Sequence, residues 1–529
     1  MAWATLSLLR VAVALAVALC AFSAPALAEP TANSCTQCVS PQQIATALCR
    51  GCFTNAPQAP GGAAQPARAG AGAAPPPGQS AQAVPRRAVQ SSSSVILFYL
   101  SEYYPHYGQP RSQCSTLLRA AKEQGSRSVN LVPTSYWMDD RFAAFNASQC
   151  YPDNWIPATR VDYFCQRWEW DSPCSPWDAE AIKRMTEGAA ACLQEAAKLF
   201  EEVVISPHLD DGSKTGHWRN RLLFDPIKKD RYGYSYWDTM LGPLLAGAKA
   251  AFTRPGQTLV FGPQGEMGGT VFYAPEAYQR VVDRVRSEWS GPARLEVALM
   301  FNHAFVPGAI TRGPDPPDKR AGPPSPHGDL QGFGPLLPLG RWPERARIEK
   351  ALPAARRLLS SVDVLGVSCY PRASAQPRPR ELEGCTAKMD EEMAAMGFDL
   401  RSWRRGAGKR LIWAEFGLGG GVSRCQDQRA STRAEAGLYP WLDVGYPWSA
   451  ESDPWAQPEL RQYRRDWHAA ALSLMADGGG SYPLDGAFMW NIMSLDPQGI
   501  HPATTSGGGS FKDDVISEAI RKHNAAVPR

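Results

Sequence analysis

Two glutamates, Glu266 and Glu415, follow short apolar stretches and are the acidic residues best placed to do chemistry. Residues 258–262, Thr-Leu-Val-Phe-Gly, lead to Glu266, and residues 410–414, Arg-Leu-Ile-Trp-Ala, lead to Glu415. Both stretches are typical of buried strands, and a glycine-rich turn follows each glutamate. Carboxylates at the carboxyl ends of parallel strands share one edge of a sheet. We therefore predict that the two side chains face a single opening.

A pair of carboxyl groups at one opening can hydrolyse a glycosidic bond. One group protonates the leaving oxygen and the other attacks the anomeric carbon, and in enzymes that retain the anomeric configuration they lie about 5–5.5 Å apart. The chain has 17 tryptophans in 529 residues, and indole rings either fill a core or stack on the faces of sugar rings. We expect both uses of tryptophan in this chain.

Apolar strand patterns alternate with helical patterns eight times after Ser93. This alternation predicts a right-handed, parallel (β/α)8 TIM barrel over residues 93–529, with an α/β fold and the chemistry at the carboxyl ends of its strands. The predicted strands are residues 95–100, 128–133, 202–208, 258–262, 294–301, 362–368, 411–414 and 486–490. The predicted helices are residues 114–125, 177–200, 234–252, 275–289, 348–361, 388–406, 458–476 and 511–523.

Two long segments are expected to extend the loops at the mouth of this barrel. The segment after the second strand contains Cys150, Cys165 and Cys174, and we expect disulfides to staple it. The segment 306–343 is rich in proline and glycine and is too long for a plain connector. We interpret it as an insertion over or beside the mouth.

The first 92 residues differ in composition from the barrel. Residues 1–28 read as a signal peptide, because an apolar run ends in the small-residue pattern Ala26-x-Ala28, although a retained membrane anchor is an alternative. Residues 29–55 hold two Cys-x-x-Cys pairs, which indicate a small module with two disulfides or, alternatively, a zinc ribbon. Residues 56–92 are rich in proline, glycine and alanine and are predicted to be a linker.

The composition favours a secreted protein, extracellular or in the cell wall. Removing the signal leaves an even number of the 13 cysteines, which suggests disulfides without giving their connectivity. Asn146-Ala-Ser148 is a possible glycosylation site in such a compartment. The net charge of +4 gives no reason to expect nucleic acid as a partner. We expect a monomer with no stable membrane insertion after the signal is cleaved.

Several short motifs resemble those of retaining glycoside hydrolases of clan A, most of all the family 113 β-mannanases. In this clan the acid/base follows strand four and the nucleophile follows strand seven, as Glu266 and Glu415 do. The similar stretches are Ser-Pro-His-Leu-Asp-Asp-Gly at residues 206–212 with His-Trp-Arg at 217–219, Asp-Val-Leu-Gly-Val-Ser-Cys-Tyr-Pro at 363–371, Phe-Asn at 301–302 and Phe-Met-Trp-Asn at 488–491.

The resemblance implies roles for the two glutamates. Glu266 would be the acid/base, with a pKa raised by apolar surroundings or by the nearby carboxylate, so that it holds a proton when substrate arrives. Glu415 would be the nucleophile and must be ionised, which a hydroxyl such as that of Tyr370 would favour. Much of the clan has Asn-Glu after strand four, whereas this chain has Gly265 before Glu266, so Gln264 or Asn302 is expected to replace that asparagine.

Other side chains at predicted strand ends are expected to bind sugar. Trp490 is expected to form the floor of the subsite for the cleaved sugar. His208, Asp210, Asp211 and His217 could instead hold a metal ion, but their spacing fits no template, so we expect no metal and no cofactor. The expected substrate-binding residues are Glu102, Tyr104, Trp137, His208, Asp210, Trp218, Gln264, Asn302, Tyr370 and Trp490.

These observations predict a secreted retaining endo-β-glycosidase that acts on a β-linked polysaccharide by double displacement, with a mannan-like polymer favoured. An alternative is a carbohydrate-binding barrel without catalysis, in a cell wall or extracellular matrix, since the asparagine is missing. A third possibility is a scaffold component in which the cysteine-rich module is the main functional part.

Overall fold

The structure is a computed structural model of the whole chain. It describes residues 89–90, 94–98, 113–139, 159–167, 174–212, 219–302, 305–308, 345–422, 429–444, 448–449, 451–491, 499–500 and 512–527. All of these lie in one compact unit, Gly72–Asn146 with Tyr151–Arg529. The predicted signal peptide, the cysteine-rich module, nearly all of the linker, Asn146 and most of the 306–343 insertion lie outside the described residues.

Among the described residues, eight parallel strands form the barrel. Each pairs in parallel with the next along the chain. Residues Val89–Gln90, just before the first strand, pair in parallel with the last, so the sheet closes on itself. The predicted (β/α)8 barrel is confirmed. The strands are β1 Ser94–Phe98, β2 Ser128–Met138, β3 Glu202–Ile205, β4 Thr258–Phe261, β5 Arg294–Asn302, β6 Val364–Cys369, β7 Arg410–Phe416 and β8 Gly486–Met489.

A helix follows each strand and covers the outside of the barrel. None of the described helices has both the length and the apolar character that a bilayer span requires. The helices are α1 Gln113–Glu123, α2 Ala179–Leu199, α3 Gly242–Ala251, α4 Pro275–Glu288, α5 Arg345–Ser361, α6 Gly384–Ala395, α7 Pro458–Ala476 and α8 Asp514–Ala525.

Short elements decorate the connections. The short strands are Thr159–Arg160, Tyr163–Arg167, Ser175–Pro176, His208–Asp211 and Leu222–Leu223. The short helical turns are Arg219–Arg221, Trp237–Leu241, Gly268–Tyr273, Pro379–Glu383, Leu400–Arg404, Arg433–Ala436 and Pro454–Ala456.

Two elements differ from their predicted bounds for local reasons. Strand β2 runs five residues past its predicted end because its far part pairs with both Tyr163–Arg167 and His208–Asp211. The single helix predicted over 388–406 is divided. Gly397 has φ +77°, which ends α6, and the Asp399 side chain accepts from Ser402 N to start a new short helix.

The core has two layers, one inside the barrel and one between the strands and the helices. Because both faces of parallel strands are covered, their sequences read as nearly continuous apolar runs. Inside, the Asn130 amide donates to the Ala414 carbonyl (3.1 Å) and accepts from the Ser206 hydroxyl (2.8 Å). These bonds tie β2, β3 and β7 together beneath the mouth. The interior apolar residues include Val204, Val260, Ala298, Met300, Val364, Ile412, Ala414 and Phe488.

Three disulfides connect described residues. Cys114–Cys192 joins α1 to α2, and Cys369–Cys385 joins the end of β6 to α6. Cys165–Cys174 closes the excursion after β2 locally, which confirms that disulfides staple this segment.

Candidate active site

Glu266 lies at the end of a turn that β5 and a buried amide hold in place. Its backbone N–H donates to the Met300 carbonyl of β5 (3.2 Å), and the Gln264 Oε1 accepts from the Met267 N–H (2.9 Å). Glu266 has φ +56°, in the left-handed region that is uncommon for residues other than glycine. Such a conformation costs on the order of 1–3 kcal/mol and persists where surrounding contacts determine it.

Glu415 owes its position to an irregularity in β7. Ile412 and Ala414 face the barrel interior, while Trp413 packs in the outer layer. Strict alternation would place Glu415 on the outer side, beside Trp413. Pairing with β6 instead skips one residue, since Val367 pairs with Trp413 and the next residue, Ser368, pairs with Glu415. A bulge of this kind re-aims the side chain that follows it.

The carboxylate of Glu266 is bound on both oxygens. Arg219 Nη1 donates to its Oε2 (2.7 Å), and Asn302 Nδ2 donates to its Oε1 (2.7 Å). The same guanidinium binds the Asp210 carboxylate through Nε (3.0 Å) and Nη2 (2.5 Å). Arg219 therefore bridges two acidic groups.

The carboxylate of Glu415 has different partners. The Tyr370 hydroxyl donates to its Oε2 (2.9 Å), which is the contact expected from the sequence. His208 Nε2 lies 3.3 Å from its Oε1 but makes no hydrogen bond. The imidazole also stacks on the Trp490 ring, with centroids 5.8 Å apart and planes inclined by 23°. Burial lowers the pKa of His208 to about 3, so the contact with Glu415 is not an ion pair.

The two carboxyl groups belong to one site. The Arg219 charge and the Ser368 hydroxyl each lower the pKa of both Glu266 and Glu415, and the charge on Glu415 raises the pKa of Glu266. Both residues are buried, Glu266 at 6% exposed and Glu415 at 3%. The two glutamates therefore belong to one cluster of buried polar side chains, and their shared opening stays a prediction.

Burial raises the pKa of both glutamates. It raises that of Glu415 to about 7, against the opposing effects of Arg219, Tyr370 and Ser368. Burial and then Glu415 raise the pKa of Glu266, against Arg219, His208 and Ser368. The pKa of Glu266 is therefore raised, as expected from the sequence. The expectation that Glu415 is ionised holds in the free protein only above about pH 7, because desolvation outweighs its hydrogen bonds.

The remaining predicted sugar-binding residues occupy varied positions. Asp210 is the most open, with 35% of its side chain exposed. Gln264 is fully buried and supports the turn before Glu266. Trp137 corrects our expectation of a stacking surface: it lies in strand β2, not in a loop, and is fully buried in the core, so neither indole face is open to a sugar. Glu102, Tyr104 and Trp218 lie outside the described residues.

Two residues of the site were not singled out from the sequence. Arg219 and Ser368 both lie within motifs that carry the resemblance, but those motifs did not show that Arg219 binds Asp210 and Glu266 together or that Ser368 lowers the pKa of both glutamates. Arg219 lies nine residues after Asp210 but 47 residues before Glu266, so nothing in the sequence indicated that one guanidinium binds both carboxylates. Among the described residues no three His, Cys, Asp or Glu side chains form a group suited to a metal ion.

Comparisons with known proteins give structural neighbours only. No protein-family model matches the chain, and no curated protein matches its sequence. A family 113 β-mannanase from Alicyclobacillus acidocaldarius aligns at 14% identity over 84% of this chain and 100% of its own, with a TM-score of 0.41. Another family 113 β-1,4-mannanase aligns at 11% identity over 83% of this chain and 99% of its own, with a TM-score of 0.39. A family 5 mannosidase from Rhizomucor miehei aligns at 10% identity over 83% of this chain and 93% of its own, with a TM-score of 0.37.

The Tyr370 hydroxyl is predicted to set the pH at which Glu415 ionises. Tyr370→Phe removes a hydrogen bond that lowers the pKa of Glu415, so that pKa should rise above about 7. In an activity assay the acidic limb of kcat/KM should move to higher pH. Tyr482→Phe is the matched control, because Tyr482 also donates to a carboxylate, that of Asp390 (3.0 Å). An unmoved limb in Tyr370→Phe would contradict this role.

Glu415 is also predicted to lower stability at alkaline pH. Its pKa is about 7 in the folded protein against 4.5 ordinarily, so folding opposes its ionisation. The cost is absent below about pH 4.5 and complete above about pH 7, where it reaches about 3 kcal/mol. Glu415→Gln should therefore raise the free energy of unfolding at pH 8.5 and change it little at pH 4. Denaturant titrations at both pH values measure this.

Glu187→Gln provides the control for that comparison. Glu187 is exposed in the middle of α2, where loss of one charge should change stability by less than about 0.5 kcal/mol at either pH. An equal effect of Glu415→Gln at both pH values would show that burial of its charge does not destabilise the fold.

Proposed function

We propose that this protein is a retaining endo-β-glycosidase with Glu266 as acid/base and Glu415 as nucleophile. The observation that carries the proposal is the pair of buried carboxyl groups, after β4 and near the end of β7, which are held by different donors and lie close enough for the charge on Glu415 to raise the pKa of Glu266. A site that only binds sugar has no need for two such groups, because bringing like charges out of water together is costly. Hydrolysis uses them.

The first step forms a covalent intermediate. The Glu415 carboxylate attacks the anomeric carbon as the bond to the leaving oxygen breaks, and Glu266 gives its proton to that oxygen. Tyr370 donates to Oε2 of the Glu415 carboxylate (2.9 Å) and thereby fixes the orientation of the attacking group. Burial of both groups excludes water until the sugar arrives and strengthens each electrostatic contact.

The second step releases the sugar. Glu266, now ionised, takes a proton from a water molecule as the water oxygen attacks the anomeric carbon, and the bond to Glu415 breaks. Arg219 and Asn302 both donate to Glu266, so they stabilise the ionised form that this step requires. The product keeps the anomeric configuration of the substrate after two inversions.

The substrate class follows from the sequence. The motifs that resemble the family 113 β-mannanases favour a mannan-like polymer among β-linked polysaccharides. The apolar N-terminal run with its small-residue pattern supports secretion, and the disulfides between described cysteines are compatible with an oxidising compartment. A secreted enzyme would meet such a polymer outside the cell.

The stereochemistry of the first product tests the proposed mechanism. The purified protein is screened against β-mannan, β-glucan, xylan and galactan by reducing ends, and the active substrate is followed by proton NMR. We expect the β anomer to appear first and to mutarotate later. Glu415→Ala should lower turnover at least about 10³-fold while sugar affinity remains. Initial formation of the α anomer would overturn the paired roles, and affinity without turnover in the wild type would establish the binding-protein alternative.

The leaving group distinguishes the acid/base from the nucleophile. Glu266→Ala should lower kcat/KM on the polysaccharide by about 10³-fold, because its leaving oxygen needs a proton. On a dinitrophenyl glycoside, whose leaving group needs none, the loss in the first step should be far smaller. Glu415→Ala is the matched variant and should lose activity on both substrates. If Glu266→Ala lost activity equally on both, Glu266 would not be the acid.

A further inference from the structure

The space beside Gly265 is occupied by the His208 imidazole. A Cβ atom built at Gly265 would lie 2.6 Å from His208 Cδ2, 2.9 Å from its Nε2 and 2.9 Å from the Ser206 carbonyl oxygen. These distances are below any ordinary contact, so position 265 cannot carry a side chain, asparagine included. The histidine sits where that side chain would begin.

The two amides expected to replace the asparagine have other contacts. Gln264 is fully buried, and its Oε1 accepts from the Met267 backbone N–H, while its Nε2 makes no hydrogen bond within the described part of the chain. Asn302 donates through Nδ2 to Glu266 Oε1 and so serves the acid/base (2.7 Å). Neither amide contact is directed at Glu415.

His208 is placed differently. Its Nε2 lies 3.3 Å from Glu415 Oε1 and makes no hydrogen bond. Its ring is fixed by the stack on Trp490. His208 and Glu415 are both buried, and because Nε2 lies 3.3 Å from the Glu415 carboxylate, a sugar that contacts Glu415 also comes close to His208. An enclosed polar atom without a partner gains a hydrogen bond when a ligand supplies one.

We infer that His208 Nε2 binds the hydroxyl group on C2 of the sugar whose bond is cleaved. This inference rests on the proposed function. When a carboxylate bonds to C1 through one oxygen, its other oxygen lies beside the substituent on C2. His208 Nε2 lies next to Oε1 of Glu415, so when Oε2 forms the bond to C1 this nitrogen can reach the hydroxyl beside Oε1. In glycosidases, hydrogen bonds to the 2-hydroxyl strengthen in the transition state, so this contact would act on catalysis as well as on binding.

The neutrality of the imidazole suits this role. Burial and the Arg219 charge keep the pKa of His208 near 3, so that the ring can donate or accept one neutral hydrogen bond at any working pH. It would not neutralise Glu415, whose charge the attack requires. His208 thus acts as a specificity residue and not as a general acid.

The experiment compares two substrates on two proteins. Dinitrophenyl β-glycosides of the sugar found active in the polysaccharide screen are prepared with and without the 2-hydroxyl, and kcat/KM is measured for the wild type and for His208→Ala. We expect the wild-type preference for the hydroxyl-bearing substrate to fall at least tenfold in the variant. The ratio of kcat/KM for the two substrates does not depend on the fraction of protein that is folded.

Two further variants complete the test. His208→Asn should regain part of the preference because its amide offers a shorter hydrogen-bonding group. His468→Asn is the matched control: His468 is also buried and has its pKa lowered to about 3, but it lies on α7 and bonds to the Arg464 carbonyl. It should keep the wild-type ratio.

The outcomes separate this inference from the proposed function. If His208→Ala loses activity equally on both substrates, the residue is merely structural and the inference is overturned while the hydrolase proposal stands. If the wild type cleaves neither glycoside nor any of the polysaccharides, both proposals are overturned. A fall in the ratio that His208→Asn partly restores supports the assignment.

Discussion

The site depends on the removal of two like-charged groups from water within reach of one another. Burial raises the pKa of Glu415 to about 7 against the opposing effects of Arg219, Tyr370 and Ser368, and burial and the charge on Glu415 raise the pKa of Glu266. Such an arrangement destabilises the folded protein unless donors and cations offset it. The Arg219 guanidinium, the Tyr370 hydroxyl and the Asn302 amide provide part of that offset. Strongly perturbed carboxyl groups of this kind are more common in functional sites than elsewhere.

The barrel supplies the rigidity that this arrangement requires. Apolar side chains fill the interior beneath the mouth, and the Asn130 amide joins β2 to β7 and β3 through hydrogen bonds. Two local departures from regular geometry then aim the carboxylates. A positive φ at Glu266 and a shifted register between β6 and β7 before Glu415 both occur at the mouth. Strain placed at a site in this way is held by the packed structure around it.

The sequence predicted the elements better than it predicted the surroundings of individual side chains. Helix α7 begins and ends at the predicted residues, Pro458 and Ala476, because proline at its first turn and apolar spacing act locally. Trp137 and Gln264 illustrate the opposite case. Both were expected at the cleft, yet both are fully buried. Trp137 belongs to the extension of β2 that pairs with Tyr163–Arg167, and Gln264 accepts a hydrogen bond from the Met267 backbone N–H. Partners distant in the chain decide such outcomes.

The pattern of residues along the chain was enough to predict the barrel, the order of its strands and the two strand ends that carry Glu266 and Glu415. Apolar periodicity and turn residues are short-range properties, and a parallel sheet leaves few ways to arrange them. The folded structure was needed to show that Arg219 bridges Asp210 and Glu266, that Ser368 lowers the pKa of both glutamates and that His208 fills the space beside Gly265. Those contacts join separate strand ends. They depend on register shifts and backbone angles that cannot be recognised from the periodicity of apolar residues in the sequence.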